Sequence, residues 1–192
     1  MDLKEAIKTR RTAQEFQNKS IPRELLKDLF ELTIQAPSGK NRQPWKFYVV
    51  EGEAKDELTE VLYKAGKKID FKKYGLNLKN SKFENTYFKS VRKIENAPTV
   101  VLVFTYEITN KYLRHTINIQ SCAAAVQNML LVANSFGLGS AWICDTLMAE
   151  KEIVKWLEPD INGNLIASIV LGYPKKNSPY PGREPWQRKG FF

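Results

Sequence analysis

The feature that most constrains this chain is an uncharged run of 29 residues, from Thr116 to Cys144. Within it, polar side chains recur in pairs seven residues apart: Gln120/Ser121, Gln127/Asn128 and Asn134/Ser135. Because seven residues are nearly two helical turns, these pairs form one narrow polar stripe on an otherwise apolar helix. We expect this helix to be buried on nearly all sides and to end at Gly137. Its polar stripe must meet hydrogen-bonding groups, from a second helix or from a polar ligand.

A membrane span is the alternative interpretation of so long an uncharged run. Six amide or hydroxyl side chains would then need partners in lipid, which favours a helix inside a folded domain and no membrane association. The length of 192 residues suits one domain, residues 1–192. The N-terminal residues show no secretory signal, and the two cysteines form no C-x-x-C motif. We therefore expect a reduced, cytoplasmic protein.

The net charge of +9 favours anionic partners, which could be nucleic acid, an anionic membrane or phosphorylated small molecules. The charge is densest from Lys64 to Lys93, where aromatic residues also occur: Phe71, Tyr74, Phe83, Tyr87 and Phe88. Basic and aromatic residues together indicate either base stacking on single strands or a mobile lid over a pocket for flat substrates. We favour the lid, and expect no nucleic acid, since no helix-turn-helix or RNP motif is present. With His115 as the only histidine, metal catalysis by protein ligands is not expected.

The remaining patterns predict an α+β fold. Helices are predicted after an N-cap pair at Asp2 and Glu5, after Ser20 with a buried face of Leu25, Leu26, Leu29, Phe30 and Leu32, at Glu53–Lys67, and at about Met148–Leu157. Strands are predicted at Lys46–Val50, Thr99–Thr105, Ser140–Ile143 and Leu165–Leu171. Residues 68–93 are the least regular part. We therefore expect a small, mainly antiparallel sheet wrapped by helices, with the long helix at the centre.

Four segments are suited to a polar, anionic and aromatic ligand: 10–14, 37–45, 139–145 and the tail around Arg183. In the first, Arg10, Arg11 and Thr12 make a possible phosphate cradle, because arginine offers a bidentate fork. The second is a loop dense in amide, hydroxyl and backbone donors. In the third, Gly137-Leu-Gly139 resembles half of a dinucleotide motif, but it follows a helix and has Trp142 at the third glycine. No P-loop, nucleophile elbow or Cys/His dyad is present.

Taken together, these segments resemble the flavin-dependent nitroreductase family. The matching text is Arg10-Arg-Thr12 with Phe16, Ala36-Pro-Ser-Gly-Lys-Asn-Arg-Gln-Pro-Trp45, Gln127-Asn128, Gly137-Leu-Gly-Ser-Ala-Trp-Ile143 and Gly182-Arg-Glu-Pro185. The resemblance spans nearly the whole chain. It implies a nitroreductase-like fold with a domain-swapped C-terminal tail, and FMN bound at the interface of an obligate homodimer.

The resemblance also implies which residues bind FMN. The phosphate and ribityl chain would be held by Arg10, Arg11, Thr12 and Arg183. The residues approaching from the partner subunit would be Pro37, Ser38, Asn41 and Gln43. The isoalloxazine would be lined by Trp142, Ile143, Cys144 and Asp145, with backbone N–H groups near N5 and O4. Two positions depart from the family: Gln14 replaces a basic residue, and Asp145 places negative charge near a ring that accepts hydride.

The implied activity is that of an FMN-dependent NAD(P)H oxidoreductase. Hydride would pass in ping-pong fashion from NADPH or NADH through flavin N5 to a flat electrophile such as a nitroaromatic or quinone. Because the cofactor carries the chemistry, no side chain is expected to act as a catalytic base or nucleophile, Cys144 included. Within the fold, the alternative acceptors are an enone or a halogenated phenol. The alternative from another class is a basic nucleic-acid-binding or regulatory protein without redox turnover.

Overall fold

The computed structural model describes residues 1–74, 82–106, 113–160, 162–176, 178–179 and 182–183. The helices are α1 (Leu3–Thr9), α2 (Arg23–Thr33), α3 (Gly52–Gly66), α4 (Lys82–Asn96), α5 (Leu113–Ser135) and α6 (Glu150–Leu157). The strands are β1 (Trp45–Glu51), β2 (Thr99–Tyr106), β3 (Gly139–Ile143) and β4 (Gly163–Gly172). Short 3-10 turns lie at Gly39–Asn41, Phe71–Tyr74 and Asp145–Ala149. The predicted N-cap is confirmed, since Asp2 Oδ1 accepts the Glu5 N–H at 2.9 Å.

The four strands form one antiparallel sheet in the order β1-β2-β4-β3. This arrangement confirms the predicted α+β class and the small antiparallel sheet. Along β2, Val100, Leu102 and Phe104 face a core shared with α3, α4 and α6. Val101 and Val103 face the other core, shared with α2 and α5. Because side chains alternate along a strand, the continuous apolar run of β2 fills both cores at once.

Helix α5 is buried on one face only within a single chain, so the expected burial on nearly all sides is wrong for the chain alone. Its inner face is fully buried against the sheet at Cys122, Val126 and Met129. On the outer face, Ile119 is 37% exposed and Gln127 is also exposed. As far as the chain is described, none of its helices is long and apolar enough to cross a membrane.

The polar stripe of α5 meets hydrogen-bonding groups at both ends, as expected. Ser121 Oγ accepts the N–H of Gly39 at 3.3 Å. Asn134 Nδ2 donates to the Ala6 carbonyl at 3.1 Å and to Thr9 Oγ1 at 2.9 Å. The stripe therefore joins α5 to the loop before β1 at one end and to α1 at the other.

Much of the stretch predicted to be an irregular lid is a core helix, so this prediction is wrong for residues 82–93. In α4, Tyr87, Val91 and Ile94 are buried against α3, and the Tyr87 hydroxyl donates to the Leu62 carbonyl at 2.9 Å. Their spacing of four and three residues makes one apolar helix face, which the surrounding lysines obscure in the sequence. Phe71 is buried too, so Phe71 and Tyr87 fill the core and do not offer stacking surfaces. The side chains of Tyr74 and Phe83 lie outside what the structure describes.

Two further expectations have mixed outcomes. Leu32 is 47% exposed because Thr33 occupies the buried face of α2 in its place, with its hydroxyl bonded to the Leu29 carbonyl at 2.7 Å. Residues 75–81 of the predicted lid lie outside the described residues. So does segment 184–192, on which the predicted domain swap of the tail depends.

The assignment of α4 to the core predicts the effect of shortening its buried side chains. Ile94 is 0% exposed, so Ile94→Ala should lower the free energy of unfolding by about 2–5 kcal/mol. The exposed Lys89 on the same helix is the control, and Lys89→Ala should change it by less than about 0.5 kcal/mol. Urea titrations of both variants make the comparison. Similar small effects for the two would contradict a core position for α4.

Candidate functional site

A cavity of about 430 Å³ opens where α1, the end of α5, the start of β3 and the tail meet. This volume lies in the range of small-molecule sites. Its lining residues are Met1, Thr9, Arg10, Arg11, Ala13, Asn134, Gly137, Leu138, Gly139, Ser140, Pro174, Lys176 and Ser178. Two of the four predicted segments, 10–14 and 139–145, therefore contribute to the same cavity.

The segment after α1 is fixed to the outer edge of the sheet. Thr12 forms a parallel bridge with Ser140 of β3, and the Ala13 N–H donates to the Ser140 carbonyl at 2.9 Å. Gly139 allows this approach, because a Cβ atom there would lie 2.9 Å from the Ala13 Cβ and 3.1 Å from the Pro174 Cβ. Because Gly139 has no side chain, segment 10–14 can lie close enough to β3 to form these backbone contacts.

The cavity is electropositive. Burial lowers the pKa of Arg10 below its ordinary value, and the charges of Arg183 and Arg11 lower it further. The guanidinium groups of Arg183 and Arg11 are therefore close enough to Arg10 to repel it. Lys176 adds a third cation to the lining, beside Arg10 and Arg11. The described lining contains no carboxylate. An anion bound here would relieve the repulsion, and arginine is suited to bind phosphate through paired N–H donors.

The walls of the cavity are fixed by local hydrogen bonds. Arg11 Nη1 donates to the carbonyls of Lys8 and Arg10, both at 2.6 Å. The hydroxyl of Ser178 donates to the Thr12 carbonyl at 2.7 Å. Gln14 is exposed, and its Nε2 lies 3.4 Å from the same carbonyl. The Thr12 backbone is thus clamped from β3 and from the tail.

The loop before β1 has an unusual backbone. Lys40, Asn41 and Gln43 have φ values of 56°, 53° and 48°, a left-handed region that residues other than glycine seldom adopt. Ser38 closes the loop, because its Oγ accepts the Gln43 N–H at 2.9 Å. Pro37 is exposed beside it, as are Asn41 and Gln43. Backbone strain of this kind is concentrated at functional sites in proteins.

This strained loop lies far from the cavity within one chain. It contacts α5 at Ser121, whereas the cavity contacts α5 at Asn134. Thirteen residues of α-helix at 1.5 Å each separate these positions by about 20 Å. A single chain therefore brings segments 10–14 and 139–140 and Arg183 together, but not Pro37, Ser38, Asn41 and Gln43.

The predicted site residues at the end of β3 point in different directions. Trp142 is 36% exposed, whereas Ile143 is buried in the core with α3 and α4. Cys144 is exposed, and its thiol pKa is raised, first by burial and then by the charge of Asp145. Asp145 is half-buried and accepts a hydrogen bond from Ser90 of α4. Because the side chain of Ile143 fills the core, Ile143 can contact a ligand at this edge only through its backbone.

Of the residues that line the cavity, only Arg10 and Arg11 are among the predicted site residues. Asn134 belongs to the predicted polar stripe of α5 but to none of the four candidate segments. Ser140 lies within the candidate segment 139–145 but is not among the predicted FMN-binding residues. Lys176 and Ser178 gave no signal, because an isolated lysine or serine in a tail rich in proline is not distinctive. The closure of the tail over segment 10–14 places them there.

Comparison with known proteins agrees with this architecture. The sequence profile of the nitroreductase family matches residues 7–173. The putative NADH dehydrogenase/NAD(P)H nitroreductase of Methanothermobacter thermautotrophicus is 30% identical over 183 residues, covering 92% of this chain and 80% of that protein. An iodotyrosine deiodinase of Thermotoga neapolitana is 28% identical over 191 residues, covering 99% and 98%.

A solved structure shares the same fold. The FMN and NADPH-dependent nitroreductase NfnB from sphigopyxis sp. strain HMH superposes with a TM-score of 0.80, and 100% of each chain is covered at 18% identity. At 18% identity the likeness shows the fold alone. The shared fold confirms the expected nitroreductase-like architecture. With the profile match over residues 7–173 and a relative 30% identical across most of its length, this chain belongs to the nitroreductase family.

Proposed function

We propose that this protein is an FMN-dependent NAD(P)H oxidoreductase that reduces a flat electrophile such as a nitroaromatic or quinone. The observation that carries the proposal is the cavity beside β3, which Arg10 and Arg11 line and near which Arg183 lies. Family membership supports a redox function. The name of the methanogen relative, an NADH dehydrogenase/NAD(P)H nitroreductase, supports the donor and the reaction class.

The residues of the cavity fit FMN. A phosphate would meet mutually repelling cations and no described carboxylate in the lining, and a flat ring could lie along the edge of β3 near the exposed Trp142. Thr12 and Gln14, both exposed beside the cations, could contact the parts of the ligand between phosphate and ring. When bound, FMN would supply the hydride-transfer chemistry. The protein's own residues would bind the phosphate, orient the ring and exclude water.

Cys144 does not need to react in this scheme. Its raised thiol pKa keeps the sulfur protonated at neutral pH, and a thiol is a far weaker nucleophile than a thiolate. Its contribution would be a backbone N–H at the end of β3, as for Asp145. A cytoplasmic enzyme of one domain remains our expectation for the chain as a whole.

We propose further that two copies form a homodimer in which each site is shared. The strained loop that carries Pro37, Ser38, Asn41 and Gln43 lies about 20 Å from the cavity of its own chain. The outer face of α5 exposes Ile119, and the neighbouring α1 exposes Leu3 and Ile7. Pairing these faces would bury apolar surface and could bring the loop of the second copy to the cavity.

Halogenated phenols are a second class of acceptor, favoured by one specific observation. A relative named iodotyrosine deiodinase is 28% identical across 98% of its own length. Reduction rates with a nitroaromatic, a quinone and iodotyrosine, measured at equal NADPH and NADH, distinguish the classes. A nucleic-acid-binding function has less support, because Phe71 and Tyr87 are buried in the core and are unavailable for stacking.

The central test of the proposed function is the absorbance of the purified protein. We expect a yellow protein, or one that becomes yellow on addition of FMN, with a visible band that bleaches when NADPH or NADH is added under anaerobic conditions. A colourless protein that fails to retain added FMN on gel filtration would refute the proposal. It would favour the alternative of a regulatory protein without redox turnover.

Removal of the Arg10 side chain should affect FMN more than riboflavin, which lacks the phosphate. A hydrogen bond to a charged group contributes about 1.5–3 kcal/mol, so Arg10→Ala should weaken FMN by roughly 10- to 150-fold. The loss for riboflavin should be less than about threefold. Arg23→Ala, at an exposed position on α2, serves as the control and should change neither affinity. Equal losses for the two ligands would mean that Arg10 does not bind the phosphate.

Mixed dimers test whether each site combines residues from two chains. Arg10→Ala and Gln43→Ala homodimers should both bind FMN weakly. When the two variants are co-refolded, half of the dimers are mixed and each holds one intact site, so about a quarter of the tight FMN sites should return. If Arg10 and Gln43 serve the same site from one chain, mixing will restore nothing.

A further inference from the structure

The carboxylate of Asp145 is held by a hydroxyl group from another element. Asp145 begins the 3-10 turn directly after β3, and its Oδ2 accepts a hydrogen bond from Ser90 Oγ of α4. The turn also packs on α4, and Tyr87, one turn before Ser90, is anchored in the core. The carboxylate is therefore fixed by a rigid helix at the end of the edge strand.

None of the ion pairs found among the described residues includes this carboxylate. Those ion pairs use Glu31, Asp56, Glu60 and Asp160. Its charge acts on nearby groups: after burial, it is the second cause of the raised thiol pKa of Cys144. Burial, Glu152 and then Asp145 raise the pKa of the Tyr87 hydroxyl. The end of β3 thus carries a carboxylate that is held by Ser90, that acts on two neighbouring groups and that enters no ion pair among the described residues.

We propose that the Asp145 carboxylate, held in place by Ser90, lowers the reduction potential of the bound flavin. This proposal rests on the proposed function, which places the ring beside the end of β3. Hydride from NAD(P)H brings two electrons and one proton, so reduction increases the negative charge of the ring system. A fixed anion opposes that increase, and it acts more strongly at a half-buried position than in bulk water. Ser90 is a positioning residue, since it acts through Asp145.

The consequence concerns the balance between the two halves of the reaction. A lower potential makes reduction by NAD(P)H less favourable and reduction of the acceptor more favourable by the same amount. The chain would thereby be suited to electrophiles that are harder to reduce.

The midpoint potential of the FMN-loaded protein tests the role of the charge. Asp145→Asn keeps the shape of the side chain and removes its charge, so the potential should rise. We expect a shift of at least tenfold in the redox equilibrium, or about 30 mV for a two-electron couple, measured against a dye of known potential. Asp160→Asn is the matched control, because it removes a carboxylate that is bonded to Lys46 of β1 at the opposite edge of the sheet. It should leave the potential unchanged.

A double-mutant cycle tests the role of Ser90. Ser90→Ala should release the carboxylate and raise the potential part of the way, whereas Ser90→Thr keeps the hydroxyl and should leave it near the wild-type value. In the Asp145→Asn background, Ser90→Ala should add nothing. A Ser90→Ala effect of equal size in both backgrounds would overturn the assignment, and so would an unchanged or lowered potential in Asp145→Asn.

Alkylation of Cys144 in the flavin-free protein gives an independent measure of the same charge. Asp145→Asn should lower the thiol pKa and speed the reaction with iodoacetamide several-fold at about pH 8, because only the thiolate reacts. Cys122 is buried and should contribute little. An unchanged rate would show that the carboxylate does not act at the end of β3. Absence of FMN binding in the wild-type protein would refute the proposed function as well, whereas bound FMN with an unchanged potential refutes only this inference.

Discussion

The site depends on the attachment of one extended segment to the open edge of the sheet. The Ala13 N–H bonds to Ser140 of β3, and Phe16 bridges to Pro174 beyond β4. Gly139 makes the first contact possible, since a side chain there would collide with Ala13 and Pro174. This attachment covers an edge strand that would otherwise expose unpaired backbone groups. It also fixes the backbone that carries the cations of the cavity.

The two cores of the fold support different parts of the site. The core on the side of α2 and α5 supports a rigid helix whose far ends hold the strained loop and the cavity. The core on the side of α3, α4 and α6 holds Ile143, and through Ser90 it also fixes Asp145. The end of β3 is therefore fixed by the core of α3, α4 and α6. The segment that carries Arg10 and Arg11 is fixed at the start of the same strand, through Ser140. Because interiors are close-packed, Ile143 cannot shift without disturbing its core.

Sequence patterns predicted the strands well, because β2 and β4 are continuous apolar runs. They also predicted the start of α1, because Asp2 gives a clear N-cap. They failed at α4, where lysines between Tyr87, Val91 and Ile94 hide the apolar face. They could not predict the left-handed backbone of Lys40 and Gln43, since neither residue type favours it. Motifs placed Arg10 and Trp142 in candidate site segments. The distance between segment 37–45 and segment 10–14, however, depends on the length of α5, which no local motif encodes.

Because α5 is rigid, the distance of about 20 Å between the strained loop and the cavity bears on how the protein assembles. An α-helix cannot shorten by 20 Å, so no local motion brings the strained loop to the cavity of its own chain. The loop nevertheless holds three non-glycine residues at positive φ, a conformation that costs of order 1–3 kcal/mol each. Glu158 also has a positive φ, but there the left-handed residue ends α6, whereas three such residues within one loop are typical of a functional site. In the proposed homodimer, the loop would complete the cavity of the second copy across the exposed face of α5.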